Sequence, residues 1–192
     1  VLAAGAGLLI SSFTNLQRAD NGFNPDNLVT AYFETPDSRY KTTRPQFYRE
    51  YFEKLSAIPG VQSVSGTVIL PMTNEGATLT FEDPEHPLPP GQLSVADFAP
   101  VAPQYFATLQ VPLLEGRDFT ERDDSKSPQV MMVNRAFVEK YFPGQNVLGK
   151  KLKPGAGNGN PEGPAWREIV GVVGDIRLTM TQRGARPAMY AP

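Results

Sequence analysis

Cysteine is absent from these 192 residues and histidine occurs once, as His86. No thiolate nucleophile, disulfide framework, iron–sulfur site or Cys/His zinc cage can be assembled from such a chain. A Ser/His/Asp triad would have to use His86. A charge excess of either sign is missing too: 18 Lys and Arg against 20 Asp and Glu leave a net charge of −2. That balance gives no electrostatic footprint for nucleic acid, and DNA or RNA partners are excluded on this ground. Long apolar runs are scarce. Val1 to Phe13 is free of charge over 13 residues, whereas a spanning helix needs about 20.

What is present describes a loop-rich globular chain. Leu, Ile, Val and Phe make up 47 of 192 residues, about 24%, above the ~20% below which burial fails to offset ordering entropy. Glycine and proline together number 36, which is many turns but short of low-complexity composition. A folded core of this size needs no disulfide staples, so the lack of cysteine is compatible with an oxidising compartment. The chain opens without Met and is expected to be part of a longer polypeptide. Residues 1–14 read either as the outer end of a transmembrane helix, whose Ala3, Ala4, Gly5, Ala6 and Gly7 allow close helix approach, or as an apolar tether docked on the core.

The pattern along the chain predicts α+β structure. Residues 15–27 form a polar connector, and Leu28 to Glu34 has the β-branched and aromatic content of a strand. Thr43 and Gln46 have capping-box spacing. Phe47, Tyr48, Tyr51, Phe52, Leu55 and Ile58 then recur at helical spacing until Pro59-Gly60. Val61 to Leu70 follows as a strand, completing a β-α-β unit over 28–70. Further strands are expected at 77–81, 93–101, 129–133, around 147–152 and at 166–176, with short helices at 103–109 and after Asn134, an N-cap residue. Val111 to Phe119 reads as extended or turning. The 166–176 run is nearly continuous and apolar, as an interior strand should be.

Each constellation capable of chemistry has a simpler explanation. Glu82, Asp83, Glu85 and His86 carry metal-ligand types, but Pro84 and Pro87 impose an extended course that separates neighbouring side chains. Gly144 to Lys151 nearly spells a phosphate-binding loop. Lys151 stands where a hydroxyl residue should hold Mg²⁺, and a helix precedes rather than follows the glycines. Gly155, Gly157 and Gly159 lie between Pro154 and Pro161, with no helix start to meet a pyrophosphate. Glu115, Asp118, Glu121, Asp123 and Asp124 interleave with Arg117 and Arg122 as a self-paired surface loop. Asp175 and Arg177 share a strand face and need only a local ion pair or turn contact. No catalytic, cofactor-binding or metal-binding residue is assigned, and the chain is expected not to be an enzyme.

Several phrases together resemble one family. Leu55-Ser56-Ala57-Ile58-Pro59-Gly60-Val61 with Val64-Ser65, Val101-Ala102-Pro103-Gln104-Tyr105-Phe106 and Leu113-Leu114-Glu115-Gly116-Arg117-Asp118-Phe119 form the first half. Val133-Asn134-Arg135-Ala136-Phe137, Tyr141-Phe142-Pro143-Gly144 with Leu148-Gly149-Lys150, and Ile169 to Arg177 (IVGVVGDIR) form the second. In this order they are similar to the MacB-like periplasmic core domain of ABC transporter permeases of the MacB/FtsX type. Ala102 departs from the usual Ser or Thr, and Arg135 from a common acidic residue.

The resemblance implies an α+β, two-lobed periplasmic domain over 15–192, with porter-like β-α-β units and a second, smaller mixed subdomain. The lobes would fall at 24–92 plus 165–192, and at 93–164. It implies a place outside the inner membrane, between a first transmembrane helix ending in 1–14 and later helices. The partners would be those transmembrane helices of the same permease, a cytoplasmic ATPase domain or subunit, a second permease copy and a periplasmic protein. The domain would act as a lever that passes ATP-driven movement outward, for export or partner activation. Helix 43–58 and strand 166–176 would be its rigid parts, and loops 71–92 and 154–164 its contact surfaces. The alternative is a membrane-tethered sensor for a small ligand or peptide, with a pocket lined by Tyr32, Tyr48, Tyr51 and Trp166.

Overall fold

A computed structural model describes residues 21–33, 44–73, 76–86, 89, 92–155, 165–179 and 184–192. The apolar start at 1–14, Thr43 of the expected capping box and most of loop 154–164 lie outside the described residues.

Three helices and seven strands are present there: α1 (Arg44–Ser56), β1 (Ala77–Glu82), β2 (Ser94–Pro100), α2 (Tyr105–Thr108), β3 (Leu113–Gly116), β4 (Val130–Asn134), α3 (Arg135–Tyr141), β5 (Lys151–Pro154), β6 (Arg167–Val173) and β7 (Ala188–Ala191). The strands form one mixed sheet in the order β3-β6-β4-β7-β2-β1-β5. Strand β5 also pairs with β6, Lys151 facing Glu168. The ladder therefore closes on itself, and closure through six strands requires a strongly curled sheet. Pairs β2–β7 and β4–β6 are parallel and the others antiparallel. The sheet takes β1, β6 and β7 from one of the ranges expected to form lobes and β2 to β5 from the other.

Strands β4 and β7 are buried along their whole length. This is why VMMVN and AMYA read as apolar runs without alternation: both faces are covered. Val130 and Met132 join Tyr105, Phe106, Leu109 and Tyr190 on the face beneath α2. Met131 and Val133 join Phe81, Phe137, Phe142 and Leu152 on the face beneath α3. In the β4–β6 ladder Met131 faces Ile169 and Met132 faces Gly171, so Val170 is an extra residue. Its carbonyl turns away to accept the Arg117 amide at 2.9 Å, which attaches β3 to β6. Gly171 has to be glycine here, because a Cβ would stand 2.4 Å from the Arg117 carbonyl oxygen.

Asn134 joins strand to helix. It is fully buried, and its Oδ1 accepts the amides of Phe137 at 3.0 Å and Ala188 at 2.8 Å. Its Nδ2 donates to the Arg186 carbonyl at 2.8 Å. One side chain thus caps α3, as its sequence position predicts, and also fixes the entry to β7.

The β-α-β unit expected over 28–70 is not formed among the described residues. Residues 28–33 join no strand, and 61–70 contribute a single bridge, Thr67 to Val101. Only the ends of 28–33 make packing contacts, Leu28 against the core beneath α2 and Phe33 against Tyr51 with ring centroids 4.6 Å apart, while Val29 is 90% and Tyr32 82% exposed. A parallel β-α-β crossover does occur, but it runs from β4 through α3 to β6. Helix α1 is present where its periodicity places it, yet none of its described side chains is fully buried. Its stripe of Phe47, Tyr48 and Tyr51 packs on Phe33 rather than on the sheet core.

Candidate functional site

The charged clusters flagged in the sequence prove to be structural contacts. Asp83, Glu85 and His86 do converge, with ligand atoms within 4.8 Å of one another. The positions are nevertheless filled from within the chain. Asp83 takes the His86 ring at 3.0 Å and the Glu85 amide at 2.9 Å, and Lys150 Nζ pairs with Glu85. An ammonium already neutralises the carboxylate that a cation would need. Lys150, the apparent phosphate-binding lysine, is thereby committed to a neighbouring loop, while Gly144 and Gly149 serve left-handed turns at φ 72° and 83°.

The acidic run at 115–124 is organised by one bidentate pair. Arg117 donates to both carboxylate oxygens of Asp123 at 2.8 Å, and Thr120 adds its amide and hydroxyl. The Arg117 bond is the main reason the Asp123 carboxyl falls to about 2. Burial raises the Asp118 carboxyl, opposed by the Phe119 amide that it accepts. Asp124 closes the next turn by accepting the amides of Lys126 and Ser127. Buried Asp97 is engaged by Thr78 at 3.1 Å and Arg186 at 3.2 Å. Glu115 and Glu121 lie on the surface.

The aromatic pocket proposed for a sensor is not assembled. Tyr48 and Tyr51 both pack on Phe33, but Tyr32 is 82% exposed and Trp166, 43% exposed, precedes β6. Neither of the two cavities described below is lined by any of the four.

Two features stand out instead. The first is a clasp between the polar connector and the end of β6. Gly22, at φ 80°, lies so close to this end that a Cβ would stand 1.7 Å from the Asp175 carbonyl oxygen. The Arg177 amide donates to the Asn21 carbonyl at 3.0 Å and its guanidinium to Asn21 Oδ1 at 3.3 Å. Asn24 donates through its amide to Leu109 and through Nδ2 to Gln110, both at 3.0 Å. Phe23 packs on the core between these bonds. Asp175, paired with Arg177 in the sequence reading, turns to accept the Ala136 amide at 2.9 Å and so holds the first turn of α3. A cavity of about 570 Å³ beside the clasp is lined by Phe23, Asn24, Gln110, Arg135 and Asp175. Sequence reasoning took 15–27 as a connector. Asn21-Gly22 marked a turn, but nothing in the sequence marked the strand end against which that turn closes.

The second feature is an open cleft of about 930 Å³ between α1 and the 123–130 loop. Gln46, Arg49 and Glu50 line one wall, and Asp123, Asp124, Lys126 and Arg167 the other. Arg167 donates to the Val130 carbonyl at 3.1 Å, and its partial burial lowers the guanidinium pKa.

Comparison with known proteins follows the fold. A family model for the MacB-like periplasmic core domain matches residues 1–192. Among solved structures, the periplasmic region of MacB from Actinobacillus actinomycetemcomitans is similar at 21% identity and a TM-score of 0.50, covering 75% of this chain and 54% of that one. The extracellular domain of the noncanonic ABC-type transporter YknZ from Gram-positive bacteria follows at 18% identity and a TM-score of 0.46, covering 74% and 60%. A domain of a putative permease from Porphyromonas gingivalis gives 18% identity and a TM-score of 0.43, covering 70% and 47%. The chain thus spans about half the length of these structures. No curated protein matches it.

Proposed function

This chain belongs to the MacB-like periplasmic core domain family, and from that premise we propose that it relays movement, without catalysis, on the extracytoplasmic side of an ABC-type permease. The driving force would come from ATP at a cytoplasmic ATPase domain or subunit. The relay would run through transmembrane helices of the same polypeptide, in a permease that pairs with a second copy and acts on a periplasmic partner or cargo. Residues 1–14 would be the end of the first such helix. Among the described residues no helix is long and apolar enough to cross a membrane.

The observation that supports this reading best is the clasp. A lever needs its input end fixed to a stiff body, because a slack connector absorbs displacement without passing it on. Residues 21–24 are fixed to the segment that leaves β6, at Asp175 and Arg177, and to the end of α2 by four hydrogen bonds and the close approach at Gly22. Strand β6 in turn pairs with β3, β4 and β5. Displacement of residues 21–24 would therefore reach the sheet through the short segment between Val173 and Arg177. That Asp83, Glu85, Asp118, Asp123 and Asp124 are engaged in turns and ion pairs supports a non-catalytic role. Loops 71–92 and 154–164 would be the domain's contact surfaces.

The test uses the intact membrane protein together with its ATPase. Hydrogen exchange across residues 21–28 and 167–177 should change when a non-hydrolysable ATP analogue is added. An exchange pattern in this domain that is indifferent to nucleotide would refute the relay.

A further inference from the structure

We infer that α1 is an arm that closes the 930 Å³ cleft against the 118–130 loop through complementary charges. The two walls differ in how firmly they are held. The loop wall is rigid: Arg117 clamps Asp123 with two bonds of 2.8 Å, Asp124 accepts two amides of its own turn, and Arg167 ties β6 to the Val130 carbonyl. The α1 wall is lightly anchored. No described side chain of the helix is fully buried, and its foothold on the body is the Phe52 ring resting on Gly66, where a Cβ would meet the ring at 2.8 Å.

The arm turns its polar side to the gap. Gln46, Arg49 and Glu50 line the cleft, while Phe47, Tyr48 and Tyr51 pack on Phe33 at the opposite side of the helix. Across the gap lie Asp124 and Lys126. A cation beside an anion on the arm faces an anion and a cation on the loop. Closure pairs Arg49 with Asp124 and Glu50 with Lys126, two matches that a single rotation of the arm about Phe52 and the Pro59-Gly60 turn brings together. Each surface pair is weak. Together they bias the arm without locking it, as a reversible closure requires.

This inference stands apart from the relay reading, since it concerns the resting equilibrium of the domain and needs no nucleotide. Spin labels at Gln46→Cys, on the moving end of the arm, and at Ser125→Cys in the full polypeptide report the separation of the two walls. At low ionic strength a short-distance population is expected. In 1 M salt, where the screening length is about 3 Å, it should fall roughly fivefold relative to the long one. Glu50→Lys should cause the same loss at low salt, and adding Lys126→Glu should restore the short distance. That rescue separates lost pairing from a disturbed fold. A single distance distribution indifferent to salt and to Glu50→Lys, or a double variant that fails to recover, overturns the closure.

Discussion

Replacing Gly22 with alanine should detach the clasp while the sheet stays folded. The Cβ of residue 22 has no room: the atom 1.7 Å away is the Asp175 carbonyl oxygen, and the carbonyl carbon lies at 2.8 Å. Both are backbone, so no rotamer change relieves the overlap. At φ 80° the alanine also carries a left-handed penalty of roughly 1–2 kcal/mol. The contacts holding the clasp shut are of similar size. Two backbone hydrogen bonds at roughly 1 kcal/mol each, two weaker side-chain bonds and a half-buried Phe23 sum to about 3–4 kcal/mol. Strain and overlap together exceed that sum, and opening is the expected outcome. Native-state hydrogen exchange reads it directly, because the amides of Arg177 and Asn24 are bonded across the clasp. Losing about 3 kcal/mol of local protection accelerates their exchange roughly hundredfold, whereas the amides of β4 and β7 keep their rates. An Arg177 amide as slow as in the parent chain would show that the close approach at Gly22 does not hold the connector.

Asn134→Ala leaves two buried amides and one carbonyl without their partner and should cost about 3–4 kcal/mol. In urea unfolding that is a midpoint lower by roughly 1–2 M, and a loss under about 1 kcal/mol would show that Asn134 does not join β4, α3 and β7 as described. Asp123→Asn tests the bidentate pair through pH. Because Arg117 holds the folded carboxyl at about 2, below its ordinary 3.8, the stabilisation is complete above the ordinary value and is lost as pH falls through about 2. The stability gap between parent and variant should therefore be flat above about pH 5 and shrink between pH 4 and 2; a gap as large at pH 2 as at pH 6 would rule the pair out as its source.

Much of the framework was legible because local chemistry is written locally. Asn134 caps α3 because an Asn directly before an apolar helical stripe satisfies the amide three residues on, whatever surrounds it. The run at 167–173 reads as an interior strand because Glu168 is its only charge beyond the leading Arg167, and the structure flanks it on both edges. The phrases that resemble the permease family include Gly116 and Phe119 of the 113–119 segment and the buried Val133, Asn134 and Phe137, where close packing leaves little latitude in residue choice.

Other features were decided by partners far along the chain. The sequence by itself determined composition, charge balance, the elements between residues 77 and 173 and the absence of thiol chemistry, but it did not mark β7 at Ala188–Ala191, which pairs with both β2 and β4. It could not show that Leu28 to Phe33 joins no strand, since strand formation needs a neighbouring strand's hydrogen bonds and residue type does not say whether one is there. Nor could it show that Gly22 lies under Asp175, 153 positions away. Close approach of two backbones leaves no trace in residue type beyond a glycine, and a glycine in a polar stretch looks like any turn. Tertiary structure alone converted that turn into a fixed joint, because only the folded sheet brings the end of β6 to where the turn must close.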